Sequence, residues 1–157
     1  MSKNPNILIA IADGEHARIV RPRPDHVLRT ERAFDSKSAH RKSSDLGSDA
    51  PGASFHSDSS ARHGIAPKHD LHRMEKERFA RFVATELSRM TDDSAFDNLV
   101  IAAPDHYLNV MRDALDDVTR AKLVGTIAKD LIKTPDDELA PHFRDFVPPE
   151  TPLRARR

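Results

Sequence analysis

The chain has 157 residues, which suits one domain, and it contains no cysteine, which excludes disulfide scaffolds, cysteine-based zinc sites and thiol nucleophiles. Its 25 lysines and arginines balance its 25 aspartates and glutamates, so nucleic-acid binding would need a local basic patch rather than an overall positive field. No signal peptide is visible and no stretch approaches the roughly 20 apolar residues of a membrane helix, so a soluble cytoplasmic protein without membrane contact is expected.

The beginning of the chain predicts three antiparallel strands. Ile7–Ala12 is a continuous apolar run rich in β-branched residues, which is typical of a strand buried on both faces. Asp13-Gly14 then predicts a tight hairpin turn, because glycine tolerates positive φ. His16–Arg21 can form a half-buried second strand that ends at Pro22, and Val27–Phe34 is predicted as the third strand.

Residues 35–69 interrupt this pattern. Serine, aspartate, histidine, glycine, arginine and lysine dominate the stretch, and its large apolar residues are only Leu46, Phe55 and Ile65. Such a composition cannot bury enough surface to offset the entropy lost on ordering. A loop of this length inside a compact domain is either functional or disordered.

The rest of the chain alternates between helical and strand patterns. Apolar residues recur at helical spacing in three stretches, and two short apolar runs separate them. The predicted elements are a helix over 71–90 with Asp70 as N-cap, a strand Asn98–Ala103, a helix Tyr107–Val118, a strand Lys122–Ala128, a helix from Thr134 to about Phe146 and a flexible basic tail over 147–157.

The predicted order is β-β-β-α-β-α-β-α. Three antiparallel strands followed by alternating helices and strands favour an α/β (mixed α+β) domain over residues 1–146, with a five-stranded mixed sheet and helices on its faces. This is the ribonuclease-H-like topology.

Several stretches, in this order and spacing, resemble the bacterial host attachment proteins, "required for attachment to host cells". The resemblance extends from Ile7 to about Phe143. It rests on Ala12-Asp13-Gly14 with Ala17-Arg18-Ile19, Arg62-His63-Gly64-Ile65 with Pro67, Phe79-Ala80 with Leu87, Val100-Ile101-Ala102-Ala103-Pro104, Lys129-Asp130-Leu131, Leu139 and His142.

That family is similar in turn to the middle domain of archaeal and eukaryotic peptide-chain release factors. There, a loop before the first long helix carries a Gly-Gly-Gln motif that promotes peptidyl-tRNA hydrolysis at the ribosome. The equivalent loop here is residues 35–70, and it has no such motif because the whole chain lacks glutamine. The resemblance therefore implies a placement near RNA or the ribosome, with the catalytic amide of the release reaction missing.

Carboxylates suggest one possible catalytic site. Asp13 and Asp105 follow two predicted strands, and Glu75 and Glu77 begin the first helix. In a ribonuclease-H-like fold, such carboxylates could hold two Mg²⁺ ions about 4 Å apart. The alternative is that Asp13 shapes a turn, Asp105 caps a helix and both glutamates face water. Asp13, Asp105 and His63 remain candidates, and no catalytic residue is assigned.

Five histidines lie in or beside the long loop. Only one pair among them has spacing that would suit a metal at a helix start, and real zinc sites normally show tighter pairs. We therefore predict no metal site and no cofactor. The histidines are His40, His56, His63, His69 and His72.

Basic residues cluster in the loop and at the start of the first helix, where Arg and Lys side chains suit phosphate oxygens. The alternative is a solvated helix face in which Glu75 and Glu77 pair with these cations. The predicted RNA- or partner-binding residues are Arg41, Lys42, Arg62, His63, Lys68, Arg73 and Lys76, with Arg78 and Arg81 beyond them.

The sequence therefore favours a non-enzymatic module that binds RNA, a ribosome, a tRNA or a protein. The alternative is a hydrolase that acts on peptidyl-tRNA or a phosphodiester with Mg²⁺. A surface-acting attachment factor is a third reading, and the missing export signal argues against it.

Overall fold

The structure is a computed structural model that describes residues 6–25, 27–37, 39 and 68–147, without the side chains of residues 68–70. The strands are β1 (Ile7–Ala12), β2 (His16–Pro22), β3 (Leu28–Asp35), β4 (Asn98–Ala102) and β5 (Leu123–Ile127). The helices are α1 (Lys68–Asp92), α2 (Asp105–Ala114), α3 (Asp117–Ala121) and two 3₁₀ helices, Asp136–Glu138 and Ala140–Phe143.

The strands form one mixed five-stranded sheet in the order β3-β2-β1-β4-β5. β1 pairs antiparallel with β2 and parallel with β4, and β5 is parallel to β4. β3 is antiparallel to β2, so it runs in the same direction as β1. The carboxyl ends of β1, β3, β4 and β5 therefore share one edge of the sheet with the start of β2, and we name this the carboxyl edge. The predicted five-stranded mixed sheet is confirmed.

Apolar residues cover both faces of the sheet. Alternate residues of β1 point to opposite faces, so this central strand contributes to two separate clusters. The helical face contains Leu8, Ala10 and Ala12 with Phe79, Val83 and Leu87 of α1 and Leu108 and Met111 of α2. The opposite face contains Ile7, Ile9 and Ile11 with Leu131, Leu139 and Phe143.

Two predicted helix boundaries are wrong. α1 already begins at Lys68, so Asp70 lies inside the helix rather than at its N-cap. The single helix predicted over Tyr107–Val118 is interrupted at Leu115, whose backbone is extended. Asp116 explains the interruption, because its side chain accepts a hydrogen bond from the amide of Thr119 at 2.8 Å and starts α3.

The third predicted helix is also wrong, because residues 134–146 contain only the two short 3₁₀ helices. Pro141 lies in the middle of the predicted span and has no N–H for an α-helical bond. The apolar residues whose spacing favoured a helix nevertheless pack in the core, since Leu139 and Phe143 are both fully buried.

The long loop predicted over residues 35–69 begins with helical residues at 36, 37 and 39. Ala39 is buried against the cluster on the helical face, so its side chain belongs to the core. Residues 38 and 40–67 of the predicted loop and residues 148–157 of the predicted tail lie outside the described residues. Val147, the first residue of the predicted tail, packs partly buried against the cluster on the opposite face, so the tail does not begin there. No helix in the described part of the chain combines the length and the apolarity needed to cross a membrane.

Candidate functional site

The carboxyl edge brings three polar segments together. The β1–β2 turn at Asp13–His16 and the start of α2 at Asp105-His106 follow neighbouring parallel strands, β1 and β4. The N-terminal half of α1 lies beside both segments. Open sheets that contain parallel strands generally bind ligands outside these carboxyl ends, so this edge is the candidate site.

Asp13 holds the β1–β2 turn together. Its Oδ1 accepts hydrogen bonds from the amides of Glu15 at 2.8 Å and His16 at 2.7 Å. Its own amide donates to the carbonyl of His16 at 2.9 Å, and the His16 ring nitrogen Nδ1 lies 3.7 Å from the same carboxylate oxygen. This catalytic candidate therefore has a turn-forming role in the structure.

Gly14 is needed for close approach rather than for positive φ. The predicted positive φ is wrong, because no described glycine has one. A Cβ atom added at Gly14 would lie 2.7 Å from both Cγ and Cδ of Lys76. The glycine therefore lets the stem of Lys76, and with it α1, pack directly on the turn.

Replacing Gly14 by alanine should lower the free energy of unfolding by about 1–2 kcal/mol, because the new methyl group must displace Lys76 or the turn. Urea unfolding would measure the loss. The double variant Gly14→Ala/Lys76→Ala removes the crowded side-chain atoms beyond Cβ and should recover part of it. An unchanged midpoint for Gly14→Ala would show that the close approach does not exist.

Glu77 and His106 form the tightest polar contact at the carboxyl edge. His106 Nε2 lies 2.5 Å from Glu77 Oε2, and Arg73 Nε lies 3.4 Å from the same oxygen. The hydrogen bond with His106 is the main cause that lowers the pKa of Glu77, with desolvation opposing it and the charge of Arg73 adding to it. The pairing of Glu77 with Arg73 is the one that the alternative of a solvated helix face predicts. The contact with His106 was missed, although His106 directly follows Asp105.

The lowered pKa of Glu77 predicts a pH effect on stability. The folded pKa lies below the unfolded one, so the ionised carboxylate stabilises the fold above about pH 4.5, the ordinary pKa, and this contribution disappears as the pH falls through the folded value. Glu77→Gln should therefore lose less stability on acidification than the wild type in urea unfolding. Glu75→Gln is the matched control, because Glu75 meets exposed Arg78 at 3.8 Å. Equal pH profiles for Glu77→Gln and the wild type would contradict this assignment.

Asp105 is the first residue of α2 and is exposed. Pro104 occupies the N-cap position and no side-chain cap bond forms there, so the predicted capping role of Asp105 is wrong. In the part of the chain that the structure describes, no three His, Cys, Asp or Glu side chains converge as a metal site would require. The carboxylates proposed for a two-metal centre are therefore not gathered into one.

The basic side chains of α1 differ in their surroundings. Arg73 and Arg78 pair with glutamates of the same helix, while Lys76 lies half-buried on Gly14 and has no ion pair within the described residues. Arg81 is exposed. The predicted residues Arg41, Lys42, Arg62 and His63, like His40 and His56, lie outside the described residues, and of Lys68 and His69 only the helical backbone is described.

Comparisons with known proteins found a family model and solved structures that are similar to this chain. A family model described as "Protein required for attachment to host cells" matches residues 8–143. Among solved structures, the archaeal translation termination factor aRF1 superposes with a TM-score of 0.49 at 12% sequence identity, over 85% of this chain and 33% of that chain. The chain thus spans about a third of the length of that factor. No curated protein matches the sequence.

Proposed function

This chain belongs to the family of proteins required for attachment to host cells, and we propose that it acts as a non-enzymatic module that binds RNA, either in the ribosome or as tRNA. The family description names a phenotype and no chemistry, so the proposal rests on the site. It places the protein in the cytoplasm, where ribosomes and tRNA occur.

We also assign the fold to the ribonuclease-H-like class. The support is the strand order β3-β2-β1-β4-β5, in which β2 alone runs against the other strands, together with long helix α1 on one face. This arrangement puts the end of β3 at the carboxyl edge, where Lys76 of α1 contacts the β1–β2 turn.

The observation that carries the proposal is the position of the basic start of α1. Lys76 contacts the β1–β2 turn at the carboxyl edge, and Arg73 contacts Glu77 beside it. About 12 Å of helix precede Lys76, from Lys68 onward, at a rise of about 1.5 Å per residue. Residues 40–67, which precede this segment in the sequence, contain further arginines and lysines. Exposed ammonium and guanidinium groups at the start of a helix suit phosphate oxygens.

Binding of tRNA and of ribosomes by the intact chain tests the proposal. A matched variant replaces residues 41–66 by a short Gly-Ser linker, which keeps buried Ala39 and the start of α1 in place. We expect binding at low salt that weakens steeply as salt rises, and a large loss of binding in the variant. Absence of binding to both partners at low salt would refute the proposal, and an acidic protein as the preferred ligand would replace RNA with a protein partner.

The Glu77–His106 pair favours one second candidate, a hydrolase acting on peptidyl-tRNA or a phosphodiester. A carboxylate that orients an imidazole is a common arrangement for a general base. Turnover of either substrate by the wild type, lost in His106→Gln and retained in Asp13→Asn, would establish this alternative. Equal, undetectable turnover in all three proteins would leave the binding module as the better account.

A further inference from the structure

A cavity of about 350 Å³ opens on the face of the sheet opposite to α1. It lies between the outer strands β2 and β3 and the segment that follows β5. The residues that line it include His16, Arg18, Ala33, Asp35, Ile132 and Lys133. The cavity begins at the carboxyl edge, because His16 and Asp35 are the strand residues nearest to that edge.

Strand alternation explains why these side chains meet. His16 and Arg18 are two residues apart on β2, and Asp35 and Ala33 lie directly opposite them on β3. Side chains two residues apart share one face of a strand, so these four form the floor of the cavity. The intervening Phe34 instead packs against the cluster on the helical face.

Arg18 carries the fixed positive charge of the cavity. Its Nη2 donates to the carbonyl of Leu131 at 3.2 Å and to the carbonyl of Thr134, and its Nη1 lies 3.6 Å from Asp136 Oδ1. Its Nε is buried and has no acceptor among the described residues. A buried donor without an acceptor is costly, so the guanidinium keeps hydrogen-bonding capacity that the described residues do not use.

A second cation lies at the rim. Lys133 is exposed and has no ion pair within the described residues. Asp35 already takes part in an interaction of its own. Ala33 and Ile132 supply the apolar part of the cavity lining.

We propose that this cavity binds a small organic anion, whose carboxylate or phosphate group is held between Arg18 and Lys133. Its volume lies at the lower end of the range for small-molecule sites, about 300–1,000 Å³. That size suits a sugar phosphate or a short dicarboxylate, with the carbon part against Ala33 and Ile132. The site uses a different face from the basic start of α1 and does not depend on RNA binding.

Amide chemical shifts of the intact protein would test the proposal with three probes. Ribose 5-phosphate and succinate represent the two kinds of anion, and uncharged ribose is the negative control. We expect one or both anions, and not ribose, to shift amides of His16–Arg18, Ala33–Asp35 and Ile132-Lys133. The anion that shifts them identifies which headgroup the site takes.

Variants make the result specific. Lys133→Ala should weaken the binding about tenfold or more, whereas Lys129→Ala, which removes an equal charge outside the lining, should leave it unchanged. Ala33→Leu should block the cavity without removing a hydrogen bond. No shift at these amides with either anion, or equal affinity in wild type and Lys133→Ala, would overturn the proposal.

Discussion

Phe143→Ala is expected to lower the free energy of unfolding by about 3–5 kcal/mol, the usual cost of truncating a buried phenylalanine. Phe143 is fully buried in the cluster on the face opposite to α1, with Ile9 of the central strand and Leu139. A short 3₁₀ helix carries it, so the segment is held mainly by such side chains rather than by a long run of α-helical bonds.

Guanidinium unfolding followed by circular dichroism would measure this loss. The neighbouring variant His142→Ala is the control, because His142 is only partly buried on the same short helix, and it should cost well under half as much. A change of less than about 1 kcal/mol for Phe143→Ala would mean that the segment does not cover this face of the sheet.

Arg18→Met should lower the free energy of unfolding by about 2–4 kcal/mol, close to the usual cost of breaking a largely buried ion pair. The guanidinium is mostly buried, donates to two carbonyls of the segment after β5 and faces Asp136. Methionine keeps the apolar stem but leaves these acceptors without their donor. Arg78→Met is the control, since exposed Arg78 lies 3.8 Å from exposed Glu75 and should cost at most about 1 kcal/mol.

The pH dependence of the Arg18→Met effect follows from Asp136. Burial raises the pKa of Asp136, but hydrogen bonds from the hydroxyl and amide of Thr30 and the charges of Arg18 and Arg29 together hold it below the ordinary value. The ionised carboxylate therefore stabilises the fold above its ordinary pKa, and this is lost as the pH falls through the lower folded value. The difference between wild type and Arg18→Met should narrow in acid. A constant difference would show that Asp136 is not part of the effect.

Local patterns in the sequence predict the central strands well. β1 has the predicted bounds, because six consecutive apolar residues fit a strand that is buried on both faces. β4 ends one residue earlier than expected, before Pro104. The 3.6-residue period also finds α1, although the start of the helix lies earlier than Asp70 indicated.

The errors arise where a distant contact or a local competitor determines the structure. Periodicity cannot show that Pro141 converts a predicted helix into two short 3₁₀ helices, or that Ala39 packs in the core. The turn at Gly14 was predicted correctly, but from the tolerance of glycine for positive φ rather than from its close contact with Lys76. Lys76 lies 62 residues further along the chain, so a local pattern could not indicate that contact.

The candidate site shows the same limit. The sequence singled out Asp13, Asp105 and the basic start of α1, and all of these lie at or beside the carboxyl edge. It could not show that Glu77 and His106 pair, because 29 residues separate them. It also missed Arg18 as a lining residue of the cavity, because its partners lie more than 110 residues away.

The salt dependence of tRNA binding most directly tests whether the basic start of α1 contacts RNA phosphates. The intact chain is compared with Arg73→Ala/Lys76→Ala and with a control pair, Arg23→Ala/Arg144→Ala, which removes equal charge at other exposed positions. We expect the first variant to lower the slope of log affinity against log salt by about 2, because each removed cation neutralises about one phosphate. The control pair should keep the slope of the wild type. Equal slopes for both variants, or no tRNA binding by the intact chain at low salt, would contradict this expectation.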